Sequence, residues 1–319
     1  MAKLITLIFL FILVINSSQA DSKMISVDRP NFNSRWIELN RSEELAIRML
    51  VEILKESKTG EKILLKAQEK AREQDETLWD ILKVGEGSLT DTTLVRRFSP
   101  SQPDQMVYES KSKVFINRRL SVKDALLDLA HELTHFSYRR PFNPYRDNFS
   151  ADQFVKSTVE GRGGEVDAFL VECKVLEELF PTDARRNSHC DRVREEKSKK
   201  LSKDRGIQEF YRLGEHYSDF QKMAASFGLG HKELTHISSE EAIFISSAYG
   251  MPYPLAALHE YQMIMAKACQ NDAKRLALMK AQSEGRSPAS QTLVSLEKSY
   301  GQRCQFFDST SVRASSISH

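Results

Sequence analysis

Two of the chain's eight histidines, His131 and His135, stand four residues apart in the stretch LLDLAHELTHFSY, with Glu132 directly after the first. On a helix, positions i and i+4 share a face, so both imidazoles can turn toward one metal ion. Glu132, one step round, is placed to reach a water on the open side of that ion rather than to join as a ligand. A hydrolytic zinc ion takes three protein ligands and one water, and it lowers the water's pKa toward neutrality so that a nearby carboxylate can remove the proton. His131, Glu132 and His135 supply these parts in the order H-E-x-x-H. Two structural histidines on an apolar helix would show the same spacing. The apolar setting (Leu129, Ala130 and Leu133, with uncharged Thr134) and the β-like residues upstream favour the metal.

The elements that must hold these residues follow from patterning. Ser121 with Asp124 three later reads as a helix start. The helix predicted from there carries VKDALLDLAHELTHFS and stops near Pro141. Before it, residues 87–119 lose the helical period, and QMVYES and SKVFIN read as two short strands joined by a polar turn. Further upstream, SEELAIRMLVEILKES has apolar residues at the helical period behind a Ser42 cap. EKILLKAQEKAREQ predicts a second helix and ETLWDILKV a third ending at Gly85. Downstream, residues 142–156 read as a loop, STVEGRGGEVDAFLVECKVLEELF as helix, and 182–205 as a solvated, charge-rich stretch. The expected class is helix-rich α+β.

With AHELTHF in a strand–helix setting, residues 108–180 resemble the zincin superfamily of zinc metallopeptidases. That resemblance implies a small mixed β-sheet packed on the HExxH helix, with Val114, Phe115, Ile116 and Asn117 as an edge strand that binds the substrate backbone. The metzincin extension is absent, because Tyr138 and Pro141 stand where Gly and His are needed. A gluzincin-like third ligand is then implied, a glutamate on a second helix. GGEVDAFLVE is similar to that helix, so Glu165 is preferred over Glu160, with Asp167 third. The resemblance also implies a donor for the reaction's oxyanion beyond the third ligand. Tyr211, His216, Tyr217, His236, Tyr249, Tyr253 and His259 are all candidates, and SSAYGMPYPLAALHEY is the favoured place to look.

The first twenty residues, MAKLITLIFLFILVINSSQA, have the layout of a secretory signal peptide: Lys3, an apolar run from Leu4 to Ile15, then small residues. The run is too short to span a bilayer, so no stable membrane insertion is expected after cleavage, and the chain is expected to be secreted or periplasmic. In such a compartment four cysteines suggest two disulfides. Three pairings exist, and Cys173–Cys190 with Cys269–Cys304 need the least chain closure. With 46 basic against 44 acidic residues, composition makes no case for nucleic acid. The expected organisation is a signal peptide (1–20), a mainly helical region (21–107), the catalytic core (108–180), a second helical region (181–307) and a disordered tail (308–319). The expected function is a zinc metallopeptidase acting on proteins or peptides, with Glu132 as general base. The alternatives are an exported helical binding or scaffold protein with an inert site, and a zinc amidohydrolase acting on cell-wall peptides.

Overall fold

A computed structural model describes residues 30–145, 149–230, 233–283, 291–305 and 307. The expected signal peptide (1–20) and disordered tail (308–319) lie outside the described residues. The chain divides between Asn31 and Phe32, and all that follows concerns the unit that begins at Phe32.

Two amphipathic helices come first, α1 (Glu43–Leu54) and α2 (Lys58–Arg72). Ser42 and Ser57 cap them by accepting the N–H groups of Leu45 and Gly60, two of the donors that a helix start leaves unpaired. The third predicted helix is shorter than its sequence suggested. A Thr77–Asp80 capping box starts α3 (Leu78–Ile81), but the chain then extends into strand β1 (Leu82–Gly85). Leu82 is buried, and Leu82–Gly85 finds a sheet partner in place of another helical turn.

Two long strands follow, β2 (Leu89–Ser99) and β3 (Gln102–Asn117). The segments expected as two short strands, QMVYES and SKVFIN, form one continuous β3. The sheet order is β1-β3-β2, with β3 parallel to β1 and antiparallel to β2. Val114 faces both Leu82 and Thr90 across the two ladders. The expectation that Val114–Asn117 is an edge strand is therefore wrong. Val114 and Phe115 pair with strands on both sides, Ile116 and Asn117 pair with β1, the Asn117 N–H is taken by Ser88, and Val114 and Ile116 are buried in the core. Among the described residues the outer strands of this sheet are β1 and β2, and β2 reaches the HExxH helix through Thr90.

That helix is α4 (Val122–Tyr138). Ser121 accepts the Asp124 N–H at 3.1 Å and donates to its carboxylate at 2.7 Å. α4 lies under the sheet and packs against α1, α2 and α6 (Glu165–Leu179), with α5 (Ala151–Val159) between α4 and α6 in sequence. The loop expected over 142–156 thus ends earlier, where buried Phe154 and Val155 bring α5 into the core. Short helices α7 (Pro181–Ala184), α8 (Ser188–Arg192), α9 (Lys203–Phe210) and α10 (Tyr217–Ser226) come next. A two-stranded ribbon, β4 (Ile245–Ser246) and β5 (Met251–Pro252), leads into α11 (Tyr253–Ser283) and then α12 (Gln291–Cys304).

Disulfides join Cys173 of α6 to Cys190 of α8 and Cys269 of α11 to Cys304 of α12, the pairing expected from shortest closure. One hydrophobic cluster runs from Trp36 through α4 to Phe307, so the three regions distinguished in the sequence share a core. The boundary expected at 107 falls inside β3. A buried ionic latch fixes the β2–β3 hairpin to the C-terminal helices. Asp272 of α11 forms an ion pair with Arg96 of β2 at 2.5 Å and accepts a hydrogen bond from Arg303 of α12 at 2.6 Å, while Arg96 lies 3.5 Å from the centre of the Tyr145 ring. Among the described residues no helix is long and apolar enough to cross a membrane.

Candidate metal centre

His131 and His135 sit in the C-terminal half of α4, one turn apart, with ring centres 4.8 Å apart. Glu165 is the first residue of α6, where a negative charge is favoured by the helix dipole. The packing of α4 on α6 brings it to the histidines: one Glu165 oxygen is 3.5 Å from Nε2 of His131 and 3.5 Å from Nε2 of His135. These three residues offer ligand atoms all within 4.8 Å of one another and could hold a metal ion.

The other two acids weighed for this place are engaged elsewhere. Glu160 caps α5 and accepts the Tyr211 hydroxyl at 3.2 Å. Asp167 accepts the Gly163 N–H at 3.0 Å and pairs with Lys203 at 2.7 Å, so it shapes the glycine turn. That turn has its own role. Nδ1 of His135 is 2.8 Å from the Gly163 carbonyl, which can only accept, so Nδ1 carries a proton and Nε2 is the nitrogen turned to Glu165. Nδ1 of His131 is held in the same way by Glu172, at 3.3 Å. Outer partners of this type fix the tautomer and orientation of metal-binding histidines. The donor set, two oriented imidazoles and a carboxylate, fits a divalent transition metal.

Burial and charge oppose each other at the centre. Burial pushes the Glu165 carboxyl up, but the His135 and His131 imidazoles outweigh it and hold the group well below the usual carboxylate range. Burial pushes His131 down, and the carboxylates of Glu165 and Glu172 overcome this to hold it well above the ordinary imidazole value. Asp128 is pushed up to about 6, chiefly by burial and against a hydrogen bond from Ser88 and the His131 charge.

Glu132 is buried beside the histidines, and its carboxylate lies 2.8 Å from the Thr90 hydroxyl of β2. Tyr253, the first residue of α11, faces the same group. Burial, then the charges of Glu165, Glu132 and Glu172, push its hydroxyl well above 10, so it stays protonated and able to donate. Both Tyr249 and Tyr253 line the cleft, a cavity of about 850 Å³ that also takes in Thr90, Thr92 and Arg139. The stretch favoured for a donor therefore borders the centre. Tyr211, by contrast, is buried against Glu160 and His236.

Of the four residues expected to bind substrate, Asn117 lines the cleft, while Val114, Phe115 and Ile116 do not. Thr90, Glu172, Asp128 and the Gly163 carbonyl were not singled out as site residues. Asp128 lay within reach of sequence reasoning, since it falls three residues before His131 on the same helical face, and Glu172 shares a face with Glu165. Nothing local to Thr90 or Gly163 signals a role. No protein-family profile, curated protein or solved structure matches the chain.

Proposed function

We propose that the chain is an exported zinc-dependent peptidase, in keeping with the resemblance of AHELTHF to the zincins. The observation that carries this is Glu132, buried next to the His131–His135–Glu165 group at the floor of an open cleft. His131, His135 and Glu165 would hold the ion. A bound zinc ion would supply Lewis acidity, bringing the pKa of water close to neutrality. The chain's own groups do the rest. Glu132, steadied by the Thr90 hydroxyl, takes a proton from the attacking water and passes it to the leaving amine. Tyr253 donates to the oxyanion that develops on the scissile carbonyl. An extended substrate adds alongside β2, the outermost strand on that side of the sheet among the described residues, where Thr90 and Thr92 face the cleft. Two disulfides fit an oxidising compartment, and the N-terminal signal-like sequence supports export.

The test is zinc content and peptide hydrolysis measured on the same preparations. Wild type should bind one zinc and lose activity with chelator. Glu132→Gln should keep the zinc and lose about 10²–10⁴-fold in kcat. Near-normal turnover by Glu132→Gln, or wild-type protein that takes up no zinc, would end this reading.

A further inference from the structure

A second cavity, of about 420 Å³, opens beside the metal cleft and shares Thr90, Thr92, Arg139 and Glu260 with it. Its first wall is β2, whose residues Thr90, Thr92, Leu94 and Arg96 alternate along the strand and so share one face. Its floor is apolar, with Phe142, Phe154, Ile264 and Ala268. Its mouth is cationic. Arg139 donates to Thr158, while Arg140 and Lys267 are exposed and have no ion-pair partner among the described residues. Arg96 is buried under Tyr145, away from the mouth, and pairs with Asp272, which it shares with Arg303. Glu260 is the one acid in the lining, against Arg139, Arg140 and Lys267.

We infer that this cavity is a specificity subsite for a large apolar side chain of the substrate, with an acidic residue next to it in the peptide. The inference rests on the peptidase reading and deepens it. A chain extended along β2 with its scissile bond near Thr90 advances about 3.3 Å per residue. Thr92 and Leu94 are two and four residues along, about 7–13 Å from Thr90 by strand rise, so that part of the cavity stands opposite a substrate side chain two to four residues from the cut. The cavity's size suits a Phe, Tyr, Trp or Leu side chain, and desolvating one against Phe142 and Phe154 is favourable. Arg140 and Lys267 at the mouth attract an acidic neighbour and repel a basic one.

The test maps cleavage sites of the zinc-loaded full chain on a proteome-derived peptide pool. Wild type should favour large apolar residues at one fixed position two to four residues from the cut, flanked by acids. Ile264→Trp, which fills the cavity, should lower the kcat/KM ratio of Phe-bearing to Ala-bearing peptides about tenfold or more. Lys267→Glu, an exposed change with little bearing on folding, should keep the apolar preference and move the flanking preference from acid toward base about two- to fivefold. In parallel, zinc-loaded Glu132→Gln is titrated with fluorescein-labelled peptides that carry a Phe-Asp or Ala-Asp pair at successive positions. Cleavage without a fixed apolar position, or selectivity unmoved by both variants, overturns the subsite and leaves the peptidase standing. Absence of cleavage with Phe-Asp binding that Ile264→Trp weakens overturns the peptidase and keeps the subsite as a peptide groove. Equal binding of Phe-Asp and Ala-Asp peptides overturns the subsite whatever the activity.

Discussion

Removal of a metal ligand can be read without any substrate, through the effect of zinc on thermal stability. An ion that binds only the folded chain stabilises it by RT ln(1 + [Zn]/Kd), which is about 2.7 kcal/mol at 100 times Kd. The unit beginning at Phe32 holds 288 residues (319 − 32 + 1). At about 2.1 cal/mol/K per residue its unfolding entropy is roughly 0.6 kcal/mol/K. Zinc at 100 times the wild-type Kd should therefore raise Tm by about 4–5 °C. If His135→Ala or Glu165→Ala weakens binding about 100-fold, the same zinc concentration stabilises by only about 0.4 kcal/mol, and the shift falls below about 1 °C. Glu160→Ala is the control. Its carboxylate is turned to Tyr211, so the variant should keep the full shift from its own baseline. Differential scanning calorimetry with and without zinc measures each case. Equal shifts in wild type and Glu165→Ala, or loss of the shift in Glu160→Ala, would refute the ligand set.

Glu172→Gln should weaken zinc binding about 10–100-fold in a competition titration, because the carboxylate that orients His131 becomes a neutral amide; unchanged affinity would remove Glu172 from the centre. Asp128 has a folded pKa of about 6, above the unfolded value, so its ionisation counts against the fold as pH rises through that range. In metal-free protein, the stability of Asp128→Asn relative to wild type should improve by about 1 kcal/mol between pH 5 and pH 7.5, and a difference that stays flat across urea melts would contradict the burial argument. Replacing Cys173 and Cys190 by Ala opens a 17-residue loop and should lower stability by about 3 kcal/mol on chain-entropy grounds, measured by the same melts.

The centre was legible where its logic is local. H-E-L-T-H needs only helical spacing, and Ser121 with Asp124 announces where α4 begins. Glu165 could be preferred in advance because GGEVDAFLVE is similar to a gluzincin third-ligand helix, and the structure places Glu160 and Glu165 in different elements. The sheet was less legible for an equally physical reason. Val114 and Ile116 alternate as a strand should, but alternation reports a buried face and is silent on how many neighbours flank the strand. The second neighbour, β1, was hidden because Leu82–Gly85 continues the apolar pattern of the preceding helical turn. Thr90 and Tyr253 reach Glu132 and the metal cleft through tertiary packing alone, from elements 42 residues before Glu132 and well beyond α6.

Gly163 has a φ of +72°, and a Cβ placed there would stand 2.6 Å from the backbone nitrogen of Arg139. Its carbonyl fixes His135 from a point 28 residues further along the chain. Divergence should therefore be uneven around the centre. Descendants of this chain can change Thr90 for another hydroxyl residue and keep its bond to Glu132. A side chain at 163 would disturb the turn and the histidine together. Lineages that retain the two histidines should carry a glycine two positions before the third acid, whatever else they have exchanged. Lineages that have lost that glycine should have lost one of the histidines as well.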